Sequence, residues 1–451
     1  MLNSKYAGLA GLALLGLGAA TPGQSQGLGN SPYSRLGLGD TQFNTGGVRQ
    51  MGMGGVGLAA PNGVHVNELN PALLYYMNRT TWEAGVTGQY KTVRNAVRSQ
   101  KTGSASLGYL ALSVPLSSRW GAAIGLKPYS SVDFESVEVQ RINDAAGNPT
   151  AAQAAKQYSG RGELSEAYFA QGVRVAKGLS VGAAASYVFG SVDLTTATQV
   201  VPDQVTSASE LDRSLILDNV HYSDFKFRGG AHYRGKFNDQ LNFNLAGTYS
   251  FQTRLNGERN LTLQRQAAGG GQTAETIVLE SGTGNATIPA LAQAGLSIDN
   301  NKSWSASLDV AQQQWSKFRA FNERGGTAGV PLSNTLRIAA GGELTPDPGS
   351  VDRYFRRVTY RLGVSVAELP YRPSGQTLYD RAVSWGFSFP VSATPLDATT
   401  LSLAFTYGQR GNTDVRTLST GAVERNIKED YLRAQLGISL NNRWFIKRRI
   451  E

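Results

Sequence analysis

The chain has 451 residues, no cysteine, 53 glycines and a formal net charge of +10. Without cysteine there can be no disulfide framework, thiolate metal site, cysteine nucleophile or lipid-anchored cysteine. The positive balance invites a nucleic-acid reading, but Lys and Arg do not gather with aromatics on any one segment, so nucleic acid is not an expected partner.

The first residues set the compartment. Lys5 supplies a positive charge, Tyr6 to Ala20 is a run of Ala, Leu and Gly, and Gly23 and Ser25 suit cleavage after Ser25. This reads as a secretory signal peptide over residues 1–25. The run falls short of the ~20 apolar residues that span a bilayer as a helix. No later stretch is long and apolar enough for a helical span. The length would suit two or three soluble domains, yet no Pro/Ser-rich linker divides the chain after residue 80.

Residues 26–79 are dense in Gly and Asn. They contain Ser31-Pro32-Tyr33-Ser34-Arg35, then a glycine run holding Gly52, Gly54, Gly55 and Gly57, and close on Asn67-Glu68-Leu69-Asn70-Pro71-Ala72. The glycine spacing fits a dinucleotide-binding loop, but no strand precedes it and no helix-forming run follows. It reads instead as a compact segment that folds in a confined space where backbones approach closely.

From Thr80 onward apolar residues occupy every second position. Trp82, Ala84, Val86 and Tyr90 oppose Glu83, Gly85, Thr87 and Gln89; Leu179, Val181, Ala183, Ala185, Tyr187 and Phe189 oppose Ser180, Gly182, Ala184 and Ser186. A strand with this period has one apolar and one polar face. Fourteen such segments can be counted, the last running from Leu432 to Leu440. Short connections, such as Lys177-Gly178, Lys236 to Gln240 and Asp299 to Lys302, alternate with long ones at Asn143–Gly160, Asp193–Asp212, Arg254–Asn285, Ser316–Ser333 and Gly411–Arg425. Aromatics gather at segment ends, among them Trp82, Trp120, Trp304, Trp385 and Trp444. An even strand count with alternating short and long connections predicts an all-β, fourteen-stranded antiparallel transmembrane β-barrel over residues 80–451. In such a barrel the apolar parity faces lipid and the aromatics form interfacial girdles. Glycine spread through the strands fits backbone packing closely against something inside.

A Gly-Gly-x-Gly segment, then Asn70-Pro71-Ala72, then fourteen strands resembles the long-chain fatty-acid transporter (FadL/TodX-like) family of outer-membrane barrels. The resemblance implies that residues 26–79 are a hatch plugging the lumen, with Asn70, Pro71 and Ala72 at the hatch motif. It further implies a Gram-negative outer membrane, surrounding lipids, and passive uptake of a small hydrophobic or amphipathic solute. The ending departs from the usual pattern: Phe445 is followed by six further residues, including Lys447, Arg448 and Arg449.

No constellation for catalysis stands out, and no metal or cofactor is expected. His65, His221 and His232 are the three histidines, and a lone lumen histidine reads as part of a polar network rather than as a catalytic base. Arg228, Arg234, Arg357 and Arg361, with Arg353 and Arg356 near the last two, are the main charge in the strands. They read as a salt-bridged wall facing the hatch, or as a lining that favours anions. Lumen-parity positions are mostly polar, whereas an acyl-chain pocket needs large apolar side chains. An alternative therefore stands beside uptake: a plugged barrel that serves as an accessory subunit of an outer-membrane secretion or assembly complex, with other outer-membrane or periplasmic proteins as partners.

Overall fold

The structure is a computed structural model that describes residues 31–35, 38–41, 46–143, 149–201, 212–266, 273–321, 331–391, 399–417 and 423–442. The signal-peptide reading, Trp444 and the basic ending lie outside the described residues.

The strands are β1 (Asp40–Thr41), β2 (Thr80–Arg94), β3 (Ser99–Ser117), β4 (Trp120–Asn143), β5 (Pro149–Ala176), β6 (Leu179–Val201), β7 (Arg213–Lys236), β8 (Asn242–Ser250), β9 (Thr253–Gln266), β10 (Thr273–Ile288), β11 (Leu291–Asp299), β12 (Trp304–Gln313), β13 (Thr335–Leu344), β14 (Thr359–Glu368), β15 (Tyr379–Pro390), β16 (Thr400–Gly411), β17 (Val415–Thr417), β18 (Val423–Arg425) and β19 (Lys428–Asn442). Fourteen of them, β2 to β8, β11 to β16 and β19, form a closed antiparallel ring. The ring closes where β19 meets β2, from Lys428 opposite Arg94 to Asn442 opposite Thr80. Closure removes the free edges that an open sheet would leave unpaired in lipid. Among the described residues no helix is long and apolar enough to cross a membrane.

The facing follows the alternation. On β2, Trp82, Val86 and Tyr90 are exposed while Glu83, Thr87 and Gln89 are buried inside. On β14, Leu362 is 63% exposed and Arg361 only 6%. Lipid would cover the outward set, so its exposure here marks the membrane-facing surface.

Three connections expected as long loops contain strand in their described residues. β4 and β5 pair up to Asn143 and Pro149, and β6 and β7 pair up to Thr198 and Ser214. Within the third, β9 and β10 pair antiparallel with each other. These extensions lie beyond the membrane band, where no lipid imposes an apolar outer face, so the outward alternation that marks the lower strands is lost. Their inward parity instead turns apolar: Val132, Phe134, Val188, Val192, Val220, Tyr222 and Leu255 pack into one cluster with Leu38. The wall is interrupted on one side. β8 and β9 are one path broken at Phe251-Gln252, and β10 and β11 are one path broken at Pro289-Ala290. β7 pairs with β8 below the break and β9 above it. Pro289 has no N–H to donate to a ladder, which suits it to the interruption.

Candidate functional site

Residues 46–78 run inside the ring, between an upper end (long connections) and a lower end (short connections). The short helix Val48–Gly52 leans on β15 and β16, and the 3-10 turn Pro71–Tyr76 on β5 and β6. Between them Met53, Val56, Leu58 and Ala59 are buried almost completely.

Polar side chains fix this segment to the wall. Arg49, 1% exposed, donates to Glu343 on β13 at 2.6 Å and 3.1 Å. The same carboxylate accepts from Arg361 on β14 at 3.0 Å, and Arg361 also donates to Ser388 on β15 at 2.6 Å. Glu343 thus joins one inner and one wall arginine. Asp309 on β12 accepts from the backbone N–H of Gly57 at 2.8 Å and of Leu58 at 3.0 Å. Arg337 on β13 donates to the Gly54 carbonyl. His65 meets Glu83 of β2 at 2.8 Å. Further up, Glu68 meets Lys127 of β4 at 3.3 Å, and Glu166 of β5 meets Lys226 of β7 at 2.9 Å. Near the upper end Arg410 of β16 gathers Asp40 at 2.7 Å and Asp380 at 3.2 Å. In a low-dielectric lumen such charges persist only when paired, so each pair also fixes position.

The Asn70-Pro71-Ala72 motif is a capped turn. Asn70 is extended and fully buried, and its side-chain oxygen accepts from the Ala72 N–H at 3.0 Å. Its amide donates to the carbonyls of Leu58 at 3.2 Å and of Ala231 on β7 at 3.3 Å. Pro71 sits at the first turn position, where its missing N–H costs nothing. Asn67 closes the approach by donating to the Gly57 carbonyl at 2.8 Å.

Glycines in the wall explain why glycine is not confined to turns. A Cβ on Gly172 would fall on the Pro71 carbonyl, and one on Gly182 on the Pro71–Ala72 peptide. Gly341 and Gly363 lie in the same way under Met53. In the inner segment, Gly54 and Gly55 have φ near +75° and Gly57 near +126°, a region that side chains disfavour. Gly52 has no such requirement; a Cβ there would come within 3.3 Å of Gly386.

The four arginines singled out from sequence fall in two places, Arg228 on the upper side of the inner segment and Arg234, Arg357 and Arg361 around the space on its lower side. Arg228 is buried beside the Leu69 carbonyl at 3.4 Å. Arg234 lies at the lower mouth, paired with Asp299 at 2.7 Å. Arg361 belongs to the Glu343 triad. Arg357 is on no strand: it ends a short helix, Tyr354–Arg357, in the connection between β13 and β14. Arg353 and Arg356 are exposed on that connection. The connection has enough residues for a helical turn, which ends the strand phase before β14 begins. Sequence reasoning missed Glu343, Asp309 and Arg49, because nothing local marks which polar strand position faces which inner residue.

The inner segment separates two spaces. The upper one, about 100 Å³, is lined by Glu68, Lys127, Glu166, Lys226, Arg228 and Arg433, with Phe251, Ile288 and Pro289 at the wall break. The lower one, about 900 Å³, opens at the short-connection end and is lined by Arg234, Lys236, Asp299, Lys302, Glu343 and Arg357, among others. Among the described residues no group of three His, Asp or Glu could hold a metal ion.

A profile of the BamG family matches residues 12–451. The chain belongs to the BamG family. No curated protein matches it. Solved structures share its fold: a Pseudomonas aeruginosa FadL homologue (14% identity, 89% of this chain and 98% of that one, TM-score 0.57), the CymD monoaromatic hydrocarbon channel (19%, 89% and 99%, 0.55), and the Ralstonia pickettii toluene transporter TbuX (16%, 88% and 98%, 0.54). The BamG member thus has the fold of FadL-type barrels of the Gram-negative outer membrane, and in such barrels the short connections face the periplasm.

Proposed function

We propose that this barrel is a closed accessory subunit of an outer-membrane protein assembly or secretion complex. One observation carries the reading: the inner segment, residues 46–78, is held inside the ring by buried charges and by backbone seated on wall glycines, as a permanent plug would be. Displacing it would strip Glu343 of Arg49 and Asp309 of two N–H donors. Charged side chains line the spaces on either side, Glu68, Lys127, Glu166, Lys226 and Arg228 above and Arg234, Lys236, Asp299 and Lys302 below, whereas a hydrophobic solute needs a largely apolar path. Membership of the BamG family points the same way, toward assembly. The reading requires no chemistry of the barrel itself.

A second reading, uptake of small hydrophobic molecules, draws support from the wall break. Phe251, Ile288, Pro289 and Leu291 give the upper space an apolar margin toward the membrane, and the structurally similar proteins named above include hydrocarbon channels. Depletion separates the two. The accessory reading expects reduced levels of other outer-membrane proteins with unchanged entry of toluene, and a native complex larger than the barrel alone. Normal outer-membrane protein levels together with slowed toluene entry would overturn it in favour of uptake.

A further inference from the structure

We infer that the lower space is a socket for an acidic, extended peptide segment of a periplasmic protein. The inference rests on the accessory-subunit reading and names the chemistry of one partner. Pro61 to His65 of the inner segment border the space on one side, and it opens at the short-connection end, which in such barrels faces the periplasm. At about 900 Å³ it lies at the large end of pockets that bind drug-sized ligands.

Its charge is one-sided. Arg234, Lys236, Lys302, Arg357 and Arg361 face two carboxylates, Asp299 and Glu343. Both carboxylates are already engaged, Asp299 by Arg234 and Glu343 by Arg49 and Arg361. Among the described residues Lys236, Lys302 and Arg357 are therefore cations with no carboxylate partner. Arg357 stacks on Tyr354, its Nε is buried without a hydrogen-bond partner, and so is Thr400 Oγ1 in the same lining. Asp239, Asp347 and Asp352 are carried on adjoining turns but do not line the space. Trp304, Pro61, Pro348 and Pro390 add apolar surfaces between the cations.

A ring of cations spaced by apolar surfaces matches carboxylates spaced by apolar side chains. Arg357 offers a fork for a carboxylate, and the lysines offer point charges. The barrel wall stands between the socket and the bilayer, so a phospholipid would have to leave the membrane to reach it. A peptide reaches it from the periplasm without crossing anything.

The test uses the full-length barrel in phosphatidylcholine nanodiscs and a fluorescein-labelled hexapeptide of alternating glutamate and tryptophan, followed by anisotropy. A lysine–tryptophan hexapeptide is the control. The acidic peptide should saturate and bind about tenfold or more tighter than the control, and should weaken steeply between about 50 mM and about 500 mM salt. The Lys236→Glu/Lys302→Glu double variant and Arg357→Gln should each reduce its affinity while keeping wild-type heat-modifiable mobility on gels. Absence of saturable binding, equal binding of the control, or variants that bind like wild type would overturn the socket. Loss of peptide binding when phosphatidylglycerol replaces phosphatidylcholine would assign the site to lipid headgroups and overturn it as well. A non-binding peptide alongside impaired outer-membrane protein assembly on depletion removes only the socket. Normal assembly on depletion removes the accessory role, whatever the peptide does.

Discussion

Replacing Glu343 by Gln tests whether buried charge locks the inner segment in place as the proposed plug. The substitution keeps the shape of the side chain but leaves Arg49, 1% exposed, and Arg361, 6% exposed, without the carboxylate they share. Arg361 retains Ser388, and Arg49 retains only the Ala60 carbonyl at 3.5 Å. Removing one partner of a buried ion pair costs about 3–5 kcal/mol, because an uncompensated charge stays behind. The barrel's own ladder does not depend on this carboxylate, so the cost should fall on plug seating rather than on barrel closure. Arg49→Met should cost less, since Glu343 keeps Arg361. The double variant should fall short of the sum of the single costs, as expected for residues in contact. Single-channel recording in planar bilayers should show a nearly closed wild type and frequent large openings in Glu343→Gln. Heat-modifiable mobility should report a folded barrel in both. Wild-type conductance in Glu343→Gln, or a barrel that melts while the plug stays closed, would refute the argument.

Leu245→Arg and Leu362→Arg place a charge on the lipid face and should each cost about 2–4 kcal/mol near mid-membrane, read as a lower folded fraction on gels. Ser250→Arg, on the lumen side, should be milder, and equal tolerance of all three would sink the facing assignment. Gly182→Val puts side-chain atoms on the Pro71–Ala72 peptide. Overpacking of this kind typically costs about 1–3 kcal/mol, so channel openings should become more frequent while the barrel still inserts. Asn70→Ala removes a cap worth about 1 kcal/mol and two further hydrogen bonds. It should loosen the Pro71–Tyr76 turn, detected as faster proteolysis within residues 60–78 of inserted protein.

Much of the fold is legible in the sequence because strand facing is a local, two-residue property. Leu362 and Arg361 are neighbours in the chain, and their parity alone sends one to lipid and the other to the lumen. The fourteen lower strands follow from the same rule, and the glycine density of residues 46–57 already suggests a segment in a confined space. The rule fails where no lipid acts on it: the upper halves of β4 to β7 and the β9–β10 hairpin lose the apolar outer face, and there polar strand looks like loop. Arg357 was misplaced because parity says nothing about where a strand ends and a connection begins. The candidate site was legible only in part. Asn70-Pro71-Ala72 stands out as a motif, but its hydrogen bond to Ala231 crosses 161 positions of sequence. Arg49 and Glu343 are 294 positions apart. Pairing at that distance depends on how the closed ring places β13 opposite the inner helix, and no local pattern encodes it. The sequence by itself determined which side of each membrane strand meets lipid, since that depends on adjacent residues and solvent. Only the tertiary structure decided which charges meet inside, since a buried charge is stable only beside the partner that closure brings to it.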